Sequence, residues 1–303
     1  MNISEDINNI KNKISGKILE NESLSKLSWF NIGGPAKVIF KPENLNDLSL
    51  FLKKMKNSHP IKVIGAGSNI LIRDGGFNGI IIKFGKAFSH ISLFNETSII
   101  SGASALDKSV SNFAIENSIS GFEFLSCIPG TIGGAVRMNS GCYDEDISKI
   151  LLSVQIIDFQ GNIRSIPRSK IKFHYRGSDL DQNLIFISAT FQGNAMNRLD
   201  IEKKTKLYLE RKKQTQPSKI KTCGSTFKNP KEKKAWKLIK SAGCIGMQVG
   251  EAQISEKHCN FFVNKGNAKS RDLEELINKV KKKVLIETGE NLEMEIQIIG
   301  DKL

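Results

Sequence analysis

The chain has 303 residues, of which 39% are hydrophobic and 25% charged, and its formal net charge is +14. This length predicts two or three domains, and this composition is typical of a soluble globular protein. It predicts no transmembrane helix, because no apolar run of about 18 residues occurs, and no signal peptide, because the N-terminus MNISEDINNIKNK is polar. We therefore expect a cytoplasmic protein without membrane insertion.

The positive charge allows two interpretations. One is nucleic-acid binding, and the other is a lysine-rich surface around an enzyme for anionic substrates. Aromatic residues do not alternate regularly with the lysines, as a base-stacking surface would require, so we expect no nucleic-acid partner. The five cysteines and four histidines form no CxxC or HExxH pair, which predicts reduced thiols and no metal site.

The chain up to about Phe84 has the pattern of a small β-α-β-β-β unit, preceded by a weak helical spacing of isoleucines. The predicted elements are a strand at Lys37–Phe40, a helix from Asn44 to Asn57, and strands at Ile61–Ile64, Ile70–Ile72 and Ile80–Phe84.

The segment GAGSN, Gly65–Asn69, lies between two of these strands. A dinucleotide-binding βαβ unit would need a third glycine and a following helix, so that fold is not expected. A glycine turn of this kind still offers successive backbone N–H groups to a pyrophosphate. A plain tight turn is the alternative interpretation.

The next part of the chain, to about Gln192, predicts an antiparallel sheet with helices. Its elements are a helix near Leu106–Asn117 and strands at Ile150–Asp158, Ile163–Ile166 and Leu184–Phe191, with a hairpin turn at Gln160–Asn162.

The segment Gly121–Gly141, GFEFLSCIPGTIGGAVRMNSG, is the most unusual stretch of the sequence. Its glycines disfavour regular helices and strands, while its apolar residues favour burial. We expect a buried loop whose backbone approaches a flat or phosphorylated ligand. A tight crossing of two elements, without any ligand, is the alternative.

The last third of the chain predicts a lysine-rich helix to about Lys213 and a short helix at Ala235–Ser241. A long amphipathic helix follows, with Ser270 as its expected cap and Gly289 after its end. The final segment, Leu292–Ile298, alternates apolar and polar residues and predicts a strand.

Several of these stretches resemble the bacterial UDP-N-acetylenolpyruvoylglucosamine reductases, the MurB family, in the same order from about Leu27 to Gly300. The segment IPGTIGGAVRMNSG looks like the flavin-embracing segment of that family, and GAGSN is similar to its flavin-phosphate loop. The chain looks like the shorter, type II branch, since no tyrosine-bearing insertion of the longer branch is found.

The resemblance implies an α+β flavoenzyme with two FAD-binding domains of the PCMH/VAO-like flavin fold and a C-terminal substrate-binding domain. The implied boundaries are 1–84, 85–199 and 200–303, with a catalytic glutamate on the last strand. It also implies FAD as the bound cofactor and NADPH as the hydride donor in peptidoglycan precursor synthesis. The implied cofactor-binding residues are Gly65, Ala66, Gly67, Ser68, Asn69, Ile128, Pro129, Gly130, Thr131, Gly133, Gly134, Ala135, Arg137 and Asn139.

Reduction of an enolpyruvyl ether needs stabilisation of developing negative charge and a proton donor for the resulting carbanion. Ser225 matches the proton-donating serine of the GSxFKNP motif, and Arg176 matches the arginine that stabilises the intermediate. Glu295 matches the second, catalytic acid of the final strand. A turn serine, a surface arginine and a solvated strand face are the alternatives from the residues alone.

The same resemblance implies a nucleotide-sugar substrate, with the binding residues Tyr175, Lys228, Asn229, Ser255, Lys257, His258 and Asn260. Ile245 and Gln297 depart from a lysine and an arginine that are frequent in the family. The sequence leaves the oligomeric state open, and a monomer is favoured over an oligomer. The rival interpretations are a flavoprotein oxidase of the same architecture and a basic RNA-binding protein.

Overall fold

The computed structural model describes residues 3–55 and 58–303. The helices are α1 (Ile3–Asn8), α2 (Leu45–Met55), α3 (Asp107–Glu116), α4 (Ile132–Met138), α5 (Ile147–Ile150), α6 (Arg198–Thr215), α7 (Ala235–Ser241) and α8 (Ser270–Thr288). Among these helices of the described residues, none combines the length and apolar composition that crossing a bilayer requires.

The strands are short and mostly antiparallel. They are β1 (Lys17–Ser23), β2 (Pro35–Lys41), β3 (Ile61–Val63), β4 (Ile70–Ile72), β5 (Phe77–Ile82), β6 (Ile91–Leu93), β7 (Ser98–Gly102), β8 (Ile119–Ser120), β9 (Gly141–Cys142), β10 (Glu145–Asp146), β11 (Leu151–Ile157), β12 (Ile163–Pro167), β13 (Phe173–His174), β14 (Gly177–Ser178), β15 (Ile185–Gln192), β16 (Asn194–Ala195), β17 (Gln248–Val249), β18 (Ala252–Ile254), β19 (Phe262–Asn264) and β20 (Gln297–Ile299). This mixture confirms the predicted α+β class.

The chain divides into two units, each discontinuous in sequence. The described residues of the first unit lie in Met1–Glu20, Val38–Ala66 and Gly79–Lys212. Those of the second lie in Asn21–Lys37, Gly67–Asn78 and Lys213–Leu303. The division into three domains at 84/85 and 199/200 stays a prediction.

The first unit contains the predicted antiparallel sheet, with strand order β12-β11-β15-β7-β6. Its hairpin is confirmed, since β11 pairs with β12 and Ile157 lies opposite Ile163. Helices α3 and α4 bury their apolar residues against this sheet, which makes one hydrophobic core. Most of the apolar residues of the central glycine segment, Gly121–Gly141, are part of that core.

A second core of the first unit lies under α2. Leu48, Phe51 and Leu52 of this helix are buried at helical spacing, and the Phe51 ring stacks on Phe40 with centroids 4.0 Å apart. The predicted helix is confirmed from residue 45 to residue 55, and its last two residues, Lys56 and Asn57, lie outside the described residues. Strand β3 pairs in parallel with β5, within the sheet of order β1-β2-β5-β3.

The core of the second unit lies between α8 and the small sheet β17-β18-β19. The predicted apolar face of α8 is confirmed, because all five of its predicted members are buried: Leu273, Leu276, Ile277, Val280 and Val284. Gly289 ends the helix in the left-handed region, with φ of 72°. Strand β20 pairs in parallel with β4, which brings residues far apart in sequence side by side.

The expectation of an irregular loop over the whole central segment was wrong. Residues Ile132–Met138 form helix α4, which contains Gly133 and Gly134. Each glycine costs a helix roughly 1 kcal/mol relative to alanine. Burial of Ile132, Ala135 and Val136 on one face of the helix offsets that cost.

Three smaller expectations also need correction. Strand β1 was not predicted, because its residues are largely exposed and show no alternation. The N-cap of α8 is Lys269, while Ser270 is the first helical residue and donates its hydroxyl to Asp74. Of the predicted last strand, Leu292–Ile298, only Gln297 and Ile298 lie in β20, so Glu295 precedes the strand. Met294 is 38% exposed, so the predicted alternation does not hold there.

Candidate active site

The two predicted flavin segments meet within the first unit. Gly65 follows β3 and lies directly against the Thr131 hydroxyl, so that a Cβ would not fit between them. The Lys83 ammonium donates a hydrogen bond to the Gly65 carbonyl. Burial, together with the nearby charge of Lys41, lowers the pKa of Lys83. The start of GAGSN and the turn before α4 therefore form one surface.

The central segment leaves part of this surface bare. Pro129 and Gly134 are exposed, whereas Thr131 and Ala135, which follow them closely in the chain, are buried. A Cβ on Gly134 would meet only the Thr131 hydroxyl, at 3.8 Å, so packing among the described residues does not require glycine there. A backbone without side chains is what close approach of a flat ligand needs.

Asp107 lies behind this surface and is a residue that the sequence analysis missed. It is the first residue of α3 and fully buried, and neither carboxylate oxygen accepts a well-aligned hydrogen bond from the described residues, the Gly130 N–H being its nearest weak donor. A Cβ on Gly130 would lie 2.5 Å from its Oδ2. Burial raises the pKa of Asp107 well above its ordinary value, so the protonated form is favoured. An acid at a helix start is ordinarily exposed, which is why its sequence position carries no signal.

Arg137 and Asn139 use their side chains within the protein. The Arg137 guanidinium donates to the carbonyl oxygens of Leu180, Asp181 and Leu184, at 3.2, 2.9 and 2.5 Å. Asn139 is 3% exposed and has a left-handed backbone, with φ of 43°. Its amide donates to the His174 carbonyl at 3.2 Å and accepts from the Ser148 N–H at 3.0 Å. Both residues thus hold neighbouring loops around α4.

Tyr175 and Arg176 form the two-residue turn between β13 and β14. Arg176 has φ of 59°, and its guanidinium donates to the Gly141 carbonyl at 2.9 Å. The guanidinium carbon lies 4.8 Å from the centre of the Tyr175 ring. This contact positions a permanent positive charge at the end of the central glycine segment.

The last three residues of GAGSN, Gly67, Ser68 and Asn69, belong to the second unit. Gly67 has φ of 73°, and a Cβ there would overlap the Leu27 carbonyl, so glycine is required by the backbone. The Asn69 amide donates to the Glu295 carbonyl at 3.0 Å. The Asn69 carbonyl in turn accepts from the Gln297 N–H at 3.0 Å. Asn69 therefore holds the chain on both sides of Ile296.

Backbone pairing brings the segments of Ser225 and Glu295 together within the second unit. The Glu295 N–H donates to the carbonyl of Thr226, the residue after Ser225, at 2.8 Å. Two residues on, the Lys228 N–H donates to the Glu293 carbonyl at 2.8 Å. Ser225 itself forms a β-bridge with Phe261.

Gly224 precedes this serine with φ of 76°, and no described atom lies within 4 Å of the Cβ position. The space beside Ser225 is therefore open on the Gly224 side.

Asn260 is 3% exposed and acts within this arrangement. Its side-chain oxygen accepts from the Phe227 N–H at 2.9 Å, and its amide donates to the Phe227 carbonyl at 2.8 Å. These two bonds satisfy the Phe227 backbone and hold the segment that carries Ser225.

Ser255 and His258 close a tight turn. The His258 N–H donates to the Ser255 hydroxyl at 3.4 Å, and the His258 Nδ1 accepts from the Asn260 N–H at 3.3 Å. Burial lowers the pKa of His258, which favours the neutral ring with its proton on Nε2. The Lys257 ammonium donates to the Lys213 carbonyl at 2.7 Å.

Lys228 and Asn229 follow the serine segment. The Lys228 ammonium forms an ion pair with Glu293 at 3.6 Å. The Asn229 side-chain oxygen accepts from the Ala235 N–H, at 3.0 Å, where α7 begins. The second unit thus gathers a hydroxyl, a carboxyl and cationic side chains on paired segments, which can serve proton transfer and anion binding.

Family models match most of the chain. A model described as "FAD binding domain" matches residues 36–166. A model described as "UDP-N-acetylenolpyruvoylglucosamine reductase, C-terminal domain" matches residues 216–299.

Relatives and a solved structure match over nearly the full length. A UDP-N-acetylenolpyruvoylglucosamine reductase of Pelagibacter ubique is 50% identical over 298 residues, which is 97% of this chain and 99% of the relative. One of Rickettsia bellii is 45% identical over 287 residues, 95% of each chain. The crystal structure of the reductase from Thermus caldophilus aligns with a TM-score of 0.81 and 28% identity, over 94% of this chain and 99% of that one.

Proposed function

The chain belongs to the family of UDP-N-acetylenolpyruvoylglucosamine reductases, and from that premise we propose how its residues serve the reaction. The activity is the NADPH- and FAD-dependent reduction of UDP-N-acetylglucosamine enolpyruvate to UDP-N-acetylmuramate, an oxidoreductase step of peptidoglycan precursor synthesis. The observation that carries the proposal is the backbone pairing of the Thr226 and Glu295 segments. It supports a shared role for Ser225 and Glu295.

We propose a division of labour along the chain, with FAD held by domains 1–84 and 85–199 and substrate bound by domain 200–303. The match of residues 36–166 to an FAD-binding domain supports the first assignment. The match of residues 216–299 to the reductase C-terminal domain supports the second.

The residues of the first unit fit FAD. The bare backbone at Gly134 is a surface that a Cβ would fill, and the contact between Gly65 and Thr131 joins the two glycine segments there. We propose that these segments hold FAD through the backbone, with Arg137 and Asn139 positioning the loops beside it. FAD, when bound, supplies the hydride for the reduction.

The protein residues supply charge, position and a proton. We propose that Ser225 donates a proton to the substrate carbon after hydride transfer, because only a strongly basic carbon can take a proton from a hydroxyl. Arg176 stabilises the negative charge of the enol form with its permanent cation. Glu295 holds a proton or orients a water molecule. Each role is supported by the family motif that contains the residue.

We propose that Tyr175, Lys228, Asn229 and the turn Ser255–His258 bind the nucleotide sugar, with Asn260 positioning the serine segment. Because the lowered pKa of His258 favours its neutral ring, we propose that it binds the nucleotide sugar through hydrogen bonds and not through a positive charge. The enzyme is proposed to act in the cytoplasm as a monomer.

The absorption spectrum of the purified protein tests this function. We expect flavin bands that bleach with NADPH under anaerobic conditions and return when the enolpyruvyl nucleotide is added. Reoxidation by oxygen but not by the enolpyruvyl nucleotide would support an oxidase instead. A protein purified without flavin that does not bind added FAD would contradict the proposal.

A further inference from the structure

Two thiols bracket the central glycine segment. Cys127 ends a 3₁₀ turn, Glu123–Cys127, directly before Ile128, and Cys142 lies in β9 directly after Gly141. Both are free cysteines of the first unit. Cys127 is 6% exposed and Cys142 is half-buried. A link between them would join the two ends of residues 128–141.

The backbone brings the Cys142 thiol against the turn that ends at Cys127. The Cys142 thiol donates to the Phe124 carbonyl, with the sulfur 3.4 Å from the oxygen. In a 3₁₀ turn the carbonyl of residue 124 faces the N–H of residue 127, so this contact brings the Cys142 sulfur to the backbone of Cys127. Strand β9 and the 3₁₀ turn that ends at Cys127 are therefore in direct contact.

The surroundings shift the pKa values of the two thiols in opposite directions. The hydrogen bond from Cys142, with that of Ser126 and the charge of Lys212, lowers the pKa of Cys127 to about 6, against the opposing effect of burial. The Lys212 ammonium itself donates to the Cys127 carbonyl at 2.8 Å. The interaction with Cys127 and burial raise the pKa of Cys142, although Arg176 and Lys212 oppose this.

Tyr143 is a further titratable neighbour of the pair, and Tyr208 and Arg211 both contact its ring. Burial raises the pKa of Tyr143 to about 12, so its phenol stays neutral, and the Arg211 guanidinium carbon lies 4.9 Å from the centre of its ring. The lowered pKa of Cys127 favours the thiolate there, and the raised pKa of Cys142 favours its protonated thiol. This is the arrangement of a peroxide-reactive cysteine with a resolving cysteine.

We propose that Cys127 and Cys142 are an oxidative modification site, at which a hydroperoxide converts the two thiols into a reversible disulfide. The Cys127 thiolate attacks one peroxide oxygen, the O–O bond breaks, and the leaving alkoxide or hydroxide takes a proton. The resulting sulfenic acid is attacked by the Cys142 sulfur, and water leaves with the Cys142 proton. Two thiols are oxidised and one hydroperoxide is reduced to an alcohol, or to water, with a second molecule of water.

The consequence concerns the cofactor and rests on the proposed function. A disulfide would tie both ends of the segment that is proposed to hold FAD, and so restrict the opening that FAD release requires. The oxidised protein is expected to release FAD more slowly than the reduced one. A reducing compartment would make the bond transient, as is typical of redox-sensing cysteines.

Thiol counting on the full-length, purified protein tests the site without needing substrate or flavin. The reduced protein is treated with equimolar hydrogen peroxide, denatured and titrated with a thiol reagent. We expect the five free thiols of the reduced chain to fall to three. Peptide mass spectrometry should find Cys127 linked to Cys142, lighter by two hydrogens, and dithiothreitol should restore both thiols.

Variants separate the two roles. Cys142→Ala should stop at a sulfenic acid on Cys127 that dimedone traps, and Cys127→Ser should lose both reactions. Cys244→Ala removes a buried cysteine elsewhere and should still form the link.

A disulfide to any other cysteine, or oxidation that leaves Cys127 and Cys142 unlinked, would overturn the proposed site. Equal FAD release rates from the linked and reduced proteins would overturn its consequence. Either result is independent of whether the enolpyruvyl nucleotide is reduced.

Discussion

The Gly65 backbone and the Thr131 hydroxyl adjoin each other in the first unit, with no room for a Cβ between them. The Thr131 Cβ is farther away, at 3.7 Å from the same position, so the hydroxyl alone fills the space. Gly65 does not have a positive φ, so an alanine there would be opposed by this contact and not by its own backbone.

Gly65→Ala should therefore lower the free energy of unfolding by about 1–3 kcal/mol, the usual cost of overpacking. Adding Thr131→Ala should recover part of that loss, because it removes the atom that the new methyl group meets. Denaturant unfolding of the two single variants and the double variant measures the coupling. Additive losses would show that the two residues do not interact through this contact.

Gly134→Val should separate cofactor binding from folding. The Cβ position is open among the described residues, so the apoprotein should unfold within a few degrees of the wild-type apoprotein. The valine should nevertheless occupy the surface proposed for FAD, and the purified variant should contain little flavin. Gly133→Ala is the matched control. Its Cβ would meet the Ala103 Cβ at 3.1 Å, so this variant should lose stability and keep more of its flavin than Gly134→Val. Full flavin occupancy in Gly134→Val would remove this surface from the FAD site.

Ser225→Ala should separate the two half-reactions. Reduction of FAD by NADPH needs no protein acid at carbon and should proceed at nearly the wild-type rate. Reoxidation by the enolpyruvyl nucleotide should slow by at least ~10²-fold, the low end for a lost general acid. Stopped-flow absorbance resolves both steps, and Ser241→Ala, an exposed serine that bonds only its own helix, is the control. If both steps slow equally, Ser225 is not the proton donor.

Asn260→Ala should weaken the segment that carries Ser225. The substitution removes both bonds to the Phe227 backbone and leaves two buried polar groups unpaired, at a cost of about 1–3 kcal/mol for each group. We expect lower stability together with slower flavin reoxidation, while the NADPH step changes less. Thermal unfolding and stopped-flow measurements on the same preparation check this. Unchanged reoxidation in a destabilised variant would limit Asn260 to a purely structural role.

Asp107→Asn should change how stability depends on pH. The pKa of Asp107 is raised in the folded protein, so its contribution is fully present below the unfolded pKa of about 3.9 and is lost as pH rises through the folded pKa. A neutral asparagine has no such loss. The variant should therefore gain stability relative to the wild type as pH rises from 4 to 8, as thermal unfolding across that range would measure. A constant difference would show that Asp107 ionises normally.

The sequence was sufficient where local pattern and burial agree. Helix α8 has its apolar residues at helical spacing and a glycine after its end, and both features are confirmed. The hairpin of β11 and β12 is confirmed for the same reason, since a turn signal joins two apolar runs. The family motifs also identify the family from the sequence alone, because they are long and occur in a fixed order.

Only the tertiary structure decided features that depend on partners distant in sequence. Helix α4 forms despite its two glycines, because the core of the first unit buries one of its faces. The last predicted strand is shortened, because residues near Met294 pair with the segment of Phe227. Asp107 gained its role from burial, and no local pattern encodes it. The family motif predicted Asn260 as a binding residue, whereas the fold directs its side chain to the Phe227 backbone. Local spacing is set by the chain itself, whereas burial and contact are set by what the fold brings to each residue.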